Sequence, residues 1–137
     1  MARLFARWFG IVYVLVGVVG FVPGINIMMP PEDGVTVAMS YGHLLGLFPV
    51  NVIHNIVHLL IGAWGVASAG AAEKARTYAR SIAVVYGLLA ICGFIVPFSS
   101  LFGLAPLFSH DIWLHALSAV AAAYVGWGVA AESGAST

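Results

Sequence analysis

Residues 5–21 read FARWFGIVYVLVGVVGF, and residues 78–94 read YARSIAVVYGLLAICGF. The two stretches align without a gap at an offset of 73. Ala6, Arg7, Val12, Tyr13, Leu15, Gly20 and Phe21 meet Ala79, Arg80, Val85, Tyr86, Leu88, Gly93 and Phe94. A second pair follows: LLGLFPVNVIHNIVHLL from Leu44 and LFGLAPLFSHDIWLHAL from Leu101, at an offset of 57. There Gly46, Pro49, His58 and Leu60 meet Gly103, Pro106, His115 and Leu117. A recurrence at fixed spacing is the mark of duplicated structural units. Repeat 1 covers about residues 5–72 and repeat 2 about residues 78–131, and the offsets differ by 16, so the first repeat carries an extra loop at about residues 25–43.

Each unit holds two apolar runs. No charge occurs between Arg7 and Asn26, and the other runs are Val52–Ala72, Ile82–Phe98 and Ile112–Ala131. These lengths suit a hydrocarbon core roughly 30 Å thick, which takes about 17–25 helical residues. Backbone amides find no water there, so each run is expected to be helical. The first run is not read as a signal peptide, because three more follow it and no cleavage site with a polar mature domain comes after it.

Composition agrees with lipid as the main solvent. The 137 residues are 62% hydrophobic and 7% charged, whereas soluble domains carry about 25% charged residues. Mean hydropathy is +1.04. Net charge is zero, which leaves no basic face for nucleic acid. Cys92 is the single cysteine, so an internal disulfide is excluded.

The five cations, Arg3, Arg7, Lys74, Arg76 and Arg80, precede the first run or lie between the second and third. The positive-inside rule then assigns both termini and the central loop to the cytoplasm. The expected fold is an all-α, integral membrane four-helix bundle in the cell (inner) membrane, made of two parallel helical-hairpin repeats. Gly17, Gly20, Gly62, Gly65 and Ala122 would let its helices approach closely. Pro30, Pro31, Asp33 and Gly34 mark a turn in the extra loop, with Glu32 and Asp33 at a solvated tip.

Polar residues inside apolar helices are costly, and they raise a functional question wherever they occur. Asn51 or Val52 is a suitable start for the second helix and Ser109 a suitable N-cap for the fourth. His54 and His58 are then i and i+4 on one face. Asp111 and His115 hold the same relation, at the positions that the offset of 57 pairs with them. If the two faces meet across the bundle axis, three imidazoles and one carboxylate converge near its outer end. His54, His58, Asp111 and His115 suit Zn, Cu, Fe or Mn. Asn51, Asn55 and His110 are candidates for fixing imidazole tautomers.

Other readings stay open. The cluster can be a polar lock between helices, or His58 and His115 can be the axial ligands of haem b or bind a chlorophyll-type pigment. His43 is expected at the interface, and Tyr13 and Tyr86 in the core. No catalytic set is evident, so a non-enzymatic, ligand-holding protein is expected. Its partners would be the bilayer and either a larger membrane complex or a homo-oligomer.

Through LLGLFPVNVIHNIVHLLIGAWG and DIWLH the chain resembles a bacterial family of small four-span membrane proteins catalogued as a domain of unknown function. The resemblance runs from FARWFGIVYVLVGVVGFVPG through the fourth run. It is most specific at Asn51, His54, Asn55, His58, Asp111 and His115. It departs at Ser109 and His110, where a small or neutral pair is expected. It implies the four-span architecture and no reaction.

Overall fold

The computed structural model describes residues 1–29, 37, 40–96 and 98–128. The expected turn at Pro30, Pro31, Asp33 and Gly34, the tip at Glu32 and Asp33, and the C-terminal end of the fourth run lie outside them. Among the described residues four α-helices are present: α1 (Ala2–Val19), α2 (Val52–Ser68), α3 (Ala72–Gly93) and α4 (His110–Ala123). A π-helical turn, Tyr124–Gly128, continues α4. Three short strands lie between α1 and α2: β1 (Asn26–Met28), β2 (Gly42–Leu44) and β3 (Phe48–Val50). Among the described residues, α1 is the one helix both long and apolar enough by itself to cross a membrane, and α2 is a shorter apolar helix.

Glycine sets the first helix pair. A Cβ on Gly10 would meet the Gly62 carbonyl oxygen at 2.7 Å, and one on Gly62 would meet the Val14 nitrogen at 2.6 Å. Gly17 lies against Leu59 and Gly20 against Asn55, so α1 and α2 run antiparallel in backbone contact. In the second pair, Gly93 lies against Ile112 and Gly126 against Arg80, which is again antiparallel. Between the pairs, Phe5 and Phe9 meet Tyr78, while Phe9 and Tyr13 meet Tyr86. Helices α1 and α3 are therefore parallel neighbours, and their aromatic column forms much of the core.

Burial follows the alignment offsets. In α1, Ala2, Ala6, Gly10, Tyr13 and Gly17 are buried. In α3 the buried set includes Ala75, Ala79, Ala83, Tyr86 and Ala90, each 73 positions later. Gly20 touches Asn55, and Gly93 touches Ile112, the positions that the two offsets pair with them. Arg3 donates to the Ala69 carbonyl at 3.0 Å and Arg80 to the Gly126 carbonyl at 2.9 Å. Those two acceptors are also 57 positions apart.

Beside the apolar core a polar cluster is buried, and many large apolar side chains face outward. Asn51, Asn55, His54, His58, Asp111 and His115 are buried, while Trp8, Leu15, Leu60, Leu88, Trp113, Leu117 and Val120 are exposed.

The sheet corrects the all-α expectation: the fold is mostly helical with a small antiparallel sheet in the order β1-β2-β3. Its strands pair Ile27 with His43 and His43 with Pro49. Three-residue strands are too short to show an alternating pattern in sequence. What joins β2 to β3 is a tight turn in which Leu45 and Gly46 have φ of 56° and 72°. The Leu47 amide closes the turn on the Leu44 carbonyl at 3.1 Å. Positive φ at both central residues matches the right-handed twist of a hairpin. Phe102 and Gly103, 57 positions later, repeat the turn with φ of 59° and 89°. It is closed by the Leu104 amide on the Leu101 carbonyl at 3.2 Å.

Candidate metal centre

Asn51 builds one side of the site. Its extended backbone, with φ −144°, ends the strand β3, and its side chain accepts the His54 amide at 2.8 Å. That is an N-cap, and it sets the start of α2 at one of the two positions the sequence offered. The same side chain donates to the Leu104 carbonyl at 2.8 Å, tying the start of α2 to the loop ahead of α4. Asn51 thus positions His54 through the backbone.

The other side starts differently from expectation. Ser109 has φ 62° and ψ −131°, and its side chain makes no capping bond. An N-cap needs backbone in the β region, so the residue type suggested a cap that the chain direction does not permit. The Ser109 hydroxyl lies instead 3.2 Å from His110 Nδ1. His110 is exposed and meets the Phe48 ring, not the cluster. Successive helical residues are about 100° apart around the axis, so with Asp111 facing inward, His110 faces out.

Across the bundle, His54, Asp111 and His115 come together: one donor atom from each lies within 4.8 Å of the other two. His54 Nδ1 is 3.7 Å from Asp111 Oδ2. The ring centroids of His54 and His115 are 6.2 Å apart. His58 is outside this trio but beside it, its centroid 4.4 Å from that of His54. Asn55, expected near the imidazoles, lies against Gly20, and its Oδ1 has no hydrogen-bond partner.

The four residues are buried, at 5%, 5%, 2% and 2% exposure for His54, His58, Asp111 and His115. Nevertheless, Nδ1 of all three histidines and Oδ2 of Asp111 have no hydrogen-bond partner. The Pro49 carbonyl in β3 is within hydrogen-bonding reach of the His54 ring. A carbonyl on one side of an imidazole orients it and leaves the other nitrogen for a ligand.

Two aromatic pairs support the cluster from below. Tyr13 meets His58 edge-on at 5.1 Å, and Tyr86 meets His115 at 5.0 Å. Tyr13 and Tyr86 are 73 positions apart and His58 and His115 57, so the two contacts join paired positions. The sequence put these tyrosines in the core without linking them to the histidines, although the matching offsets were a usable signal. The Tyr13 hydroxyl is also 3.5 Å from the Ser118 hydroxyl. His43, expected at the interface, is buried in β2, with the Tyr41 hydroxyl 3.3 Å from its Nε2.

A cavity of about 210 Å³ adjoins the site, lined in part by His54, His58, His115, Tyr86, Leu89 and Leu101. It is below the roughly 300–1,000 Å³ of pockets that hold drug-sized ligands. The space suits an ion with a small companion better than a macrocycle.

Fold and site together define a mostly helical protein with four helices, a small sheet and a buried histidine–aspartate cluster. The chain belongs to the family described as a domain of unknown function, DUF4383, whose profile matches residues 3–128. Neither the curated proteins nor the solved structures yield a significant match.

Proposed function

We propose that this protein is a four-span membrane protein that holds a transition-metal ion at His54, Asp111 and His115, near the outer end of its bundle. The observation that carries the metal reading is the set of buried donor atoms without hydrogen-bond partners, on three histidines and one aspartate. A buried polar group left unpaired costs about 1–3 kcal/mol. A polar lock would need donor–acceptor distances of about 2.7–3.2 Å, and the His54–Asp111 separation is 3.7 Å. Donors around a tetrahedral ion with bonds of about 2.0–2.2 Å sit about 3.3 Å apart. Rotation of side chains already within 4.8 Å of one another would reach that spacing. Imidazole and carboxylate donors suit Zn, Cu, Fe or Mn.

Support for the membrane reading is the apolar outer face, where many Leu, Val and Trp side chains are exposed while His54, His58, Asn51, Asn55, Asp111 and His115 are buried. Soluble monomers rarely expose contiguous apolar patches of more than a few hundred Å². At about 1.5 Å per residue, α1 is about 27 Å long, close to a hydrocarbon core. The cations Arg3, Arg7, Lys74, Arg76 and Arg80 flank the opposite end from the cluster, which supports cytoplasmic termini. The paired burial and the paired tyrosine–histidine contacts support two parallel repeats. In this reading the protein binds its ligand rather than transforming it, as a homo-oligomer or as a small subunit of a membrane complex.

The test is elemental analysis of the detergent-purified full chain. One equivalent of a transition metal is expected in the wild type and in His110→Ala, and a clear loss in Asp111→Ala and His54→Ala. A wild type free of metal after purification and after reloading would overturn the metal reading.

A further inference from the structure

Metal sites that only brace a fold use four protein ligands, whereas reactive ones use three and keep a position for an outside ligand. The trio His54, Asp111 and His115 gathers three donors, and His58 stands outside it. His58 lines the cavity of about 210 Å³ instead, and His54 and His115 border that same cavity. The space therefore borders two of the three ligand residues, with Asp111 behind them and outside its lining.

Apart from these histidines and Tyr86, the cavity wall is apolar, with Leu89, Leu101 and Ala105 among its residues. It has no lysine, arginine, aspartate or glutamate, so an anionic or cationic guest would lack a counter-charge from the wall. At about 30 Å³ per water molecule, the volume admits a few small molecules and no more.

We infer that the trio is a two-histidine, one-carboxylate face whose open coordination position is directed into this cavity, and that it takes a small uncharged ligand of the diatomic-gas class. The inference rests on the metal reading proposed above. Two histidines and one carboxylate with open positions are the donor set of non-haem Fe(II). His58 and Tyr86 are the remaining side chains of the wall able to hydrogen-bond a guest at the metal.

The experiment uses the full chain in detergent, loaded anaerobically with Fe(II), assayed for bound iron and then exposed to nitric oxide as the probe. Wild type should bind one iron and give the half-integer-spin resonance of a ferrous nitrosyl. His58→Leu should keep the iron, since His58 is not one of the three ligands. Leu89→Trp, which fills the cavity, should keep its iron and lose the signal. Ala105→Phe narrows the cavity from the loop side and serves if Leu89→Trp misfolds by circular dichroism. Stoichiometric iron with no nitrosyl signal would overturn the open position and leave the metal reading standing. A signal that appears only in His58→Leu would make His58 a fourth ligand and also overturn it. A signal unchanged by both cavity-filling variants would show that the guest does not use the cavity. Folded protein that binds no metal would overturn this inference and the metal reading together.

Discussion

Replacing His54, Asp111 and His115 together by Leu separates a metal centre from a polar lock by the sign of the stability change. His54 Nδ1, Asp111 Oδ2 and His115 Nδ1 are buried without hydrogen-bond partners. At about 1–3 kcal/mol each, three such atoms cost the metal-free fold about 3–9 kcal/mol. That is a large part of a total stability of about 5–15 kcal/mol. A bound ion satisfies all three atoms and adds about 4 kcal/mol when its free concentration is about 1,000 times Kd. Chelator should therefore lower the stability of the wild type by about 4 kcal/mol. The triple Leu variant should ignore chelator and be more stable than the stripped wild type by several kcal/mol. A lock predicts the reverse, because interhelical hydrogen bonds contribute about 0.6 kcal/mol each and their removal is mildly destabilising. The assay is reversible unfolding in detergent of both proteins, with and without chelator and with added metal. A wild type insensitive to chelator, together with a triple variant of lower stability, would refute the reasoning.

Reporter fusions near Lys74 and at the C-terminus should read cytoplasmic, and fusions near Asp33 external; an external signal from the central loop would reverse the orientation. Gly62→Ala forces a Cβ to within 2.6–2.7 Å of backbone atoms of Val14 and Gly10, and should cost about 1–3 kcal/mol or more in unfolding measurements. Gly87→Ala meets only the Ala119 Cβ at 4.0 Å, so its better helix propensity should make it neutral or stabilising by up to about 1 kcal/mol. Asn51→Ala removes the cap of α2 and the bond to the Leu104 carbonyl, and should cost about 0.5–2 kcal/mol from the cap alone. It should also weaken metal retention without removing a ligand, read as faster loss of metal to chelator.

The number of helices and the pairing of polar faces could be read from the sequence because they are local properties, whereas the bounds could not in full: the apolar run Ile82–Phe98 marks only part of α3, which starts at Ala72 because charged residues also enter the helix. An apolar run of helical length reports its own conformation, and i, i+4 spacing puts His54 with His58 and Asp111 with His115 on shared faces whatever surrounds them. The start of α2 at Asn51 or Val52 was legible for the same reason, since a helix start depends on its own first turn. Ser109 was not, because its left-handed backbone is imposed by the path of the Ser99–His110 loop. The strands β1–β3 were equally hidden: with three residues each, their partners rather than their patterns make them strands.

Which donors meet was a tertiary decision. Contact across two helices depends on their relative rotation and axial shift, and here close packing at Gly10, Gly17, Gly20 and Gly62 governs both in the first pair. The assembled bundle brings His54 to Asp111 and His115, leaves His58 one turn deeper on the wall of a cavity, and has His110 outward. The sequence by itself determined two helical faces bearing metal-type donors. Only the folded bundle decided that three of those donors gather beside an apolar space, because that spacing is set by side-chain volumes on helices far apart in the chain.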